Sequence, residues 1–141
     1  TLSLTIPAKT HIAIVGSTGS GKSTMAKLIA GVYQPWQGQV CYDNYPLPHL
    51  DAKNIAKYVA VVDQEVNLFA GTVRDNLQMW DKAIGDPILI QALQDAALYD
   101  ELNQQHGGNC LDLRLLEQGA NLSAGQKQRL DIARALVKQP R

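Results

Sequence analysis

Apolar and polar positions change spacing along this chain, and each change marks an element. Leu2-Ser3-Leu4-Thr5-Ile6 alternates like a half-exposed edge strand, and Pro7 closes it. Lys9-Thr10 leads into His11-Ile12-Ala13-Ile14-Val15, an apolar run that reads as a buried strand. From Thr24 to Ala30 the spacing turns helical, with Gly31 as the stop. Pro35 and Gly38 mark a turn before Gln39-Val40-Cys41-Tyr42, a further short strand in which Cys41 is expected as a small buried apolar residue. Asp43-Asn44 with Pro46 and Pro48 make a loop, and Asp51 is the expected N-cap of a short helix through Lys57. Tyr58-Val59-Ala60-Val61-Val62 is again strand-like and ends in Asp63-Gln64-Glu65.

The remainder is patterned for helices. Thr72 is placed to cap a short helix within Leu68–Leu77. Asp86-Pro87 reads as N-cap then first helical residue, opening a helix through Ile88, Ile90, Leu93, Ala96 and Ala97. Gly107-Gly108-Asn109 is a loop. Ser123 followed three residues later by Gln126 is a capping box, and the helix it opens carries Leu130, Ala133, Leu136 and Val137 on one face, with Pro140 near its end. By spacing alone, a plain helix start explains Ser123–Gln126 as well as a binding site does. The expected partition is a first portion of the core over residues 1–77, a helical subdomain over 78–122 and a last helix over 123–141.

One stretch carries chemistry outright. Gly16-Ser17-Thr18-Gly19-Ser20-Gly21-Lys22-Ser23 has the form G-x-x-x-x-G-K-[ST], set between a strand and a helix as that motif requires. With glycine near 7% of residues in general, the pattern arises by chance in roughly one chain in a few hundred of this length. Glycines permit a bent backbone whose N–H groups converge on phosphate oxygens, and a helix start adds its unpaired N–H groups and positive dipole end. Lys22 would bring a charge to the β- and γ-phosphates and Ser23 a hydroxyl for Mg²⁺. An apolar strand ending in an acid is also how many such proteins hold Mg²⁺. Asp63 is therefore one candidate for the metal, with Glu65 close behind and Gln64 the competing choice.

Composition narrows the rest. The 141 residues carry 13 basic and 13 acidic side chains, which gives no electrostatic grip for nucleic acid. No apolar run approaches the length of about eighteen residues that a membrane helix needs, and no signal peptide opens the chain. Cys41 and Cys110 have no metal-site spacing, and a reduced, cytosolic setting is expected.

Together these motifs resemble the ATP-binding domain of the ABC transporter family over nearly the whole chain. Gly16 to Thr24 matches the Walker A loop. Gln64, with Val66-Asn67-Leu68-Phe69-Ala70-Gly71-Thr72-Val73-Arg74-Asp75-Asn76-Leu77, is similar to the Q-loop and following segment of exporter-type members. Leu122-Ser123-Ala124-Gly125-Gln126, continuing to Leu136, matches the family signature and is the most specific of the three matches. Glu117-Gln118-Gly119 lies where exporters carry a loop that touches coupling helices.

The resemblance implies an α/β P-loop NTPase, a mainly parallel sheet flanked by helices with a helical subdomain inserted. It implies an ATPase motor with ATP and Mg²⁺ as cofactors, driving export at the cytoplasmic face of a membrane. Its partners would be a second nucleotide-binding domain, docked head to tail, and a transmembrane domain. Gly16, Ser17, Thr18, Gly19, Ser20, Gly21, Lys22, Ser23 and Thr24 would bind one ATP. Ser123, Ala124, Gly125 and Gln126 would bind the γ-phosphate of the ATP held by the opposite domain. Lys22 and Gln64 would act in catalysis, and Ser23 and Gln64 would hold the metal. Asp63 becomes a strand-end residue, because the family's metal-binding acid lies on a different strand. Two other readings stay open: a soluble ABC ATPase outside transport, and another P-loop enzyme, such as a small-molecule kinase, using Asp63.

Two departures qualify the match. Ala124 stands where the family usually has its first signature glycine, and it adds only a methyl suited to a helix's first turn. The chain also ends at Arg141, where the family continues into the Walker B strand and the catalytic Glu. None of His11, His49 or His106 replaces the family's switch His. The reading is of a domain fragment whose sheet lacks a central strand. Thermal unfolding of the isolated 141 residues is thus expected to be broad and low; a sharp, cooperative transition would contradict it.

Overall fold

The computed structural model describes residues 2–50, Ile55 and residues 59–140. The expected Asp51–Lys57 helix lies outside the described residues apart from Ile55. The chain divides into two compact units, Thr1–Leu50 and Asp51–Arg141.

The first unit is built on α1 (Lys22–Ile29) and a hairpin of β1 (Cys41–Tyr42) and β2 (Tyr45–Pro46). Helix α1 starts two residues earlier than the apolar spacing suggests, at the loop lysine. The Asp43-Asn44 segment, expected as a plain loop, is the hairpin's two-residue turn. Both residues are left-handed (φ 47° and 67°), a twist that matches paired strands and suits Asp and Asn. The Tyr42 hydroxyl donates to the Ile29 carbonyl, tying the hairpin to the end of α1. Since neighbouring strand residues face opposite ways, Cys41 points outward and is exposed, contrary to the buried position expected of it.

Leu2–Ile6 and His11–Val15, expected as strands, carry no ladder hydrogen bonds among the described residues. Their side chains are correspondingly open, with Val15 87% exposed and Ile12 46%. An apolar, β-branched run forms a strand only when a neighbour supplies its hydrogen bonds. The strand pairs that the described residues do form are antiparallel; no parallel ladder occurs among them. No described residue of this unit is buried.

The second unit has a hydrophobic core. β3 (Gly71–Thr72) pairs antiparallel with β4 (Arg114–Leu115), Gly71 opposite Leu115. Around this pair stand α2 (Val73–Gln78), α3 (Asp86–Asp95), α4 (Tyr99–His106) and α5 (Ala124–Val137). Thr72 caps α2 in a full capping box with Asp75. The Thr72 hydroxyl and backbone N–H both donate to the Asp75 carboxylate, which lowers its pKa. Asn76 is fully buried, with its amide satisfied by Phe69 N–H and by the Phe69 and Thr72 carbonyls at 3.0–3.1 Å. Helix α3 begins one residue earlier than expected, with Gly85 at the cap. Asp86 does not cap it because its carboxylate pairs with Arg74, which also reaches Asp112 at 3.1 Å. The buried face of α3 is Leu89, Ala92 and Leu93 rather than Ile88 and Ile90, which are left more open. Of the face predicted for α5, Leu130, Ala133 and Val137 are buried and Leu136 is partly buried. Among the described residues no helix is long and apolar enough to cross a membrane.

The end of α3 holds a local conflict. Leu98 N–H reaches back to the Leu93 carbonyl and Ala97 N–H to that of Gln94, both at 2.9 Å, the paired bonds of a helix stop that wants glycine. Ala97 occupies that position at φ 53°. Ala97→Gly is expected to stabilise the fold by about 1 kcal/mol, seen as a raised denaturation midpoint; an unchanged or lowered midpoint would show that Ala97 is not strained.

Candidate functional site

In the first unit the loop between Val15 and α1 is folded around Lys22. Its ammonium donates to the carbonyls of Gly16 (2.8 Å) and Ser17 (2.7 Å) and lies 3.5 Å from the Ser20 hydroxyl. Ser20 N–H closes a turn on the Ser17 carbonyl at 3.2 Å. Gly19 (φ 81°) and Gly21 (φ 91°) take left-handed backbone that other residues strain to adopt, although a side chain would have room there. A Cβ at Gly16 would come 2.6 Å from the Ser20 Oγ and would require that hydroxyl to turn away.

Helix α1 starts without a capping side chain and without an acidic residue in its first turn. The N–H groups of Gly19, Gly21, Lys22, Ser23 and Thr24 meet no acceptor among the described residues, and the Ser23 and Thr24 side chains are exposed without a hydrogen-bond partner among them. One ammonium and a run of unpaired donors on an exposed helix start can hold an anion, and the Ser23 hydroxyl has no partner among the described residues. Residues 16–23, named from spacing, and Thr24, named from the resemblance, thus lie together on one loop and the first turn of α1.

The second unit holds the other candidates. Gln64 is exposed in a bend directly after Asp63. Asp63 and Glu65 line a cavity of about 570 Å³ with Phe69, Asp131 and Arg134. No group of three or more His, Cys, Asp or Glu is arranged for a metal among the described residues. Arg134 links the α5 helix to the segment after Gln64: paired with the buried Asp131, it donates to the Asn67 carbonyl at 2.8 Å.

Ser123–Gln126 forms the capping box in full. The Ser123 Oγ accepts from Gln126 N–H at 3.2 Å, and Gln126 Oε1 accepts from Ser123 N–H at 2.8 Å. Ser123, Ala124 and Gly125 are exposed, whereas the Gln126 side chain is buried. There Gln126 Nε2 donates to Glu101 Oε1 (2.9 Å) and Gln105 Oε1 (2.8 Å), and Glu101 also pairs with Arg129. Sequence reading missed Glu101, Gln105, Arg129 and Arg134. The one available signal was the polar pair Glu101 and Gln105, four apart on a helix that buries Leu102. Gly125 has ordinary helical backbone, and a Cβ there would meet only Arg129 Nη1 at 3.5 Å. Among the described residues neither conformation nor packing calls for glycine there.

A family model described as ABC transporter matches residues 1–141. Antigen peptide transporter 2 of Mus musculus is 40% identical over 99% of this chain, which covers 20% of that protein. An uncharacterized ABC transporter ATP-binding protein of Bacillus subtilis, YfiB, is 40% identical over 92% of the chain, covering 22% of it. The exotoxin translocation ATP-binding protein PaxB of Pasteurella aerogenes is 39% identical over 99% of the chain, covering 19% of it. Among solved structures, a bacterial Atm1-family ABC exporter with ATP bound superposes with a TM-score of 0.78 at 31% identity, over 88% of this chain and 21% of that one. The chain therefore has the α/β fold of P-loop NTPases and spans about a fifth of the length of the curated relatives it matches.

Because Gly125 is dispensable to the helix, Gly125→Ala is expected to raise thermal stability by about 0.5 kcal/mol. A loss of stability would mean that the glycine serves the fold.

Proposed function

The chain belongs to the ABC transporter family, and on that premise we propose that it is the nucleotide-binding motor segment of an exporter, which hydrolyses ATP to drive transport. The observation that carries this is the Gly16–Thr24 loop, where one ammonium and unpaired backbone donors share an exposed helix start. Family membership sets aside a small-molecule kinase with Asp63 on the metal. The exporter reading is favoured over a soluble ABC ATPase by the relatives, which include an antigen peptide transporter and an exotoxin translocation protein.

In this reading Gly16–Thr24 binds the phosphates of ATP through backbone N–H groups. Lys22 has three donors, so it can hold a loop carbonyl and a phosphate oxygen together. Ser23 would offer its hydroxyl to Mg²⁺, whose charge, when bound, would offset that of the phosphates. Ser123 accepts from Gln126 N–H and keeps its own hydroxyl proton. That proton, with the N–H groups of Ala124 and Gly125, serves the γ-phosphate of an ATP held by a second nucleotide-binding domain, docked head to tail, while Gln126 holds Ser123 in place. Closure over two ATP molecules moves a transmembrane domain, and hydrolysis resets it. Gln64 passes the state of the γ-phosphate to that domain. The segment works at the cytoplasmic face of a membrane and has no nucleic-acid partner. Its functional divisions are the first portion of the core (residues 1–77), the helical subdomain (78–122) and the signature helix (123–141).

In the full-length protein Lys22→Ala is expected to weaken ATP binding by about a hundredfold, the scale of a lost charge-assisted contact. Ser123→Arg should leave ATP binding intact and abolish hydrolysis. The proposal fails if Lys22→Ala binds ATP normally or if Ser123→Arg hydrolyses it at the original rate.

A further inference from the structure

We infer that Glu101 is a positioning residue for the signature segment: from α4 it fixes the Gln126 amide, and thereby sets the Ser123–Gln126 turn that meets the second domain's nucleotide. This deepens the function proposed above and rests on it.

Gln126 is 5% exposed, and both ends of its side-chain amide are committed. Its nitrogen is held by two oxygen acceptors, Glu101 Oε1 at 2.9 Å and Gln105 Oε1 at 2.8 Å. The amide oxygen is thus left to accept from Ser123 N–H at 2.8 Å. An amide rotated end for end would set its oxygen against a carboxylate and its nitrogen against an N–H group, so Glu101 determines which end faces Ser123. The other carboxylate oxygen of Glu101 pairs with Arg129, one turn further along α5. One side chain on α4 therefore grips α5 at two points, and the first lies under the exposed residues Ser123, Ala124 and Gly125.

A capping box alone fixes the turn locally. The Glu101 contact adds an anchor from another element, which removes the freedom of the box to rock with the helix start. Sites that stabilise developing charge depend on donors held in place before the ligand arrives. In this arrangement the effect of Glu101 passes through Gln126.

The test uses the full-length transporter, comparing Glu101→Ala, Glu101→Gln, Gln126→Ala and the double variant Glu101→Ala with Gln126→Ala. Steady-state ATP hydrolysis and binding of a fluorescent ATP analogue are the readouts, well below the unfolding temperature. Glu101→Ala should lower kcat by about tenfold, the scale of one buried hydrogen bond, with analogue binding at the Gly16–Thr24 loop unchanged. Glu101→Gln keeps an oxygen acceptor for Gln126 Nε2 and should recover most of that loss. Glu101→Ala should cost little more once Gln126 is already alanine.

The inference is overturned if Glu101→Ala lowers only the melting temperature and leaves kcat intact. It is also overturned if Glu101→Gln is as slow as Glu101→Ala, which would assign the effect to the Arg129 pair, or if the two losses simply multiply. Ser123→Arg separates the two levels. If it abolishes hydrolysis while Glu101→Ala does not change it, only the positioning role fails; if it has no effect, the function proposed for the signature fails with it.

Discussion

The packing of α5 through Leu130, Ala133 and Val137 is the contact on which the second unit depends. Leu130 and Ala133 have no exposed surface, and they bury against a core that draws on α2, α3 and α4. Truncating a buried leucine such as Leu130 costs about 2–5 kcal/mol, a large share of a domain's stability. This packing also fixes where the amino end of α5 emerges. The start of the helix is aimed by the core beneath it, so the same residues that hold the fold together present Ser123, Ala124 and Gly125 to solvent.

The starts of α1 and α5 are finished in opposite ways. Helix α5 satisfies the N–H groups of Gln126 and Ser123 reciprocally in its capping box, and then ties that box to Glu101 and Gln105 on α4. Helix α1 has a glycine where a cap would be, no acid in its first turn, and an ammonium folded over the preceding carbonyls. Leaving donors unpaired lowers the intrinsic stability of α1 and gives it affinity for an anion. A capped start instead gives rigidity and one hydroxyl proton. The contrast suits a loop that grips one nucleotide and a turn that senses another.

Local chemistry was legible in the sequence; non-local contacts were not. Gly16–Ser23 and the Ser123–Gln126 box are short-range patterns in which residue type fixes backbone and hydrogen bonding within a few positions, and both have the local form that their spacing predicts. Thr72 behaved likewise. Asp86 was misread as a cap because its partner, Arg74, lies twelve residues away and outweighs the local preference. Glu101 reaches Gln126 across twenty-five residues, and the polar pair it makes with Gln105 does not say what the two would hold. The strand pattern at His11–Val15 fails for a related reason: alternation and branching state a preference, but a ladder needs a neighbour, and none of the described residues pairs with that run.

The central claim is that Ser123 serves a nucleotide as well as its own helix. Substituting Ser123→Asp in the full-length protein separates the two roles, since aspartate caps a helix about as well as serine but sets a negative charge where the γ-phosphate would sit. The measurement is ATP hydrolysis beside thermal unfolding. The account predicts unchanged stability with hydrolysis lost by about a hundredfold or more, the effect of removing a preorganised donor from a reacting oxygen. Full hydrolysis in the aspartate variant would contradict it and leave Ser123 as a helix cap alone.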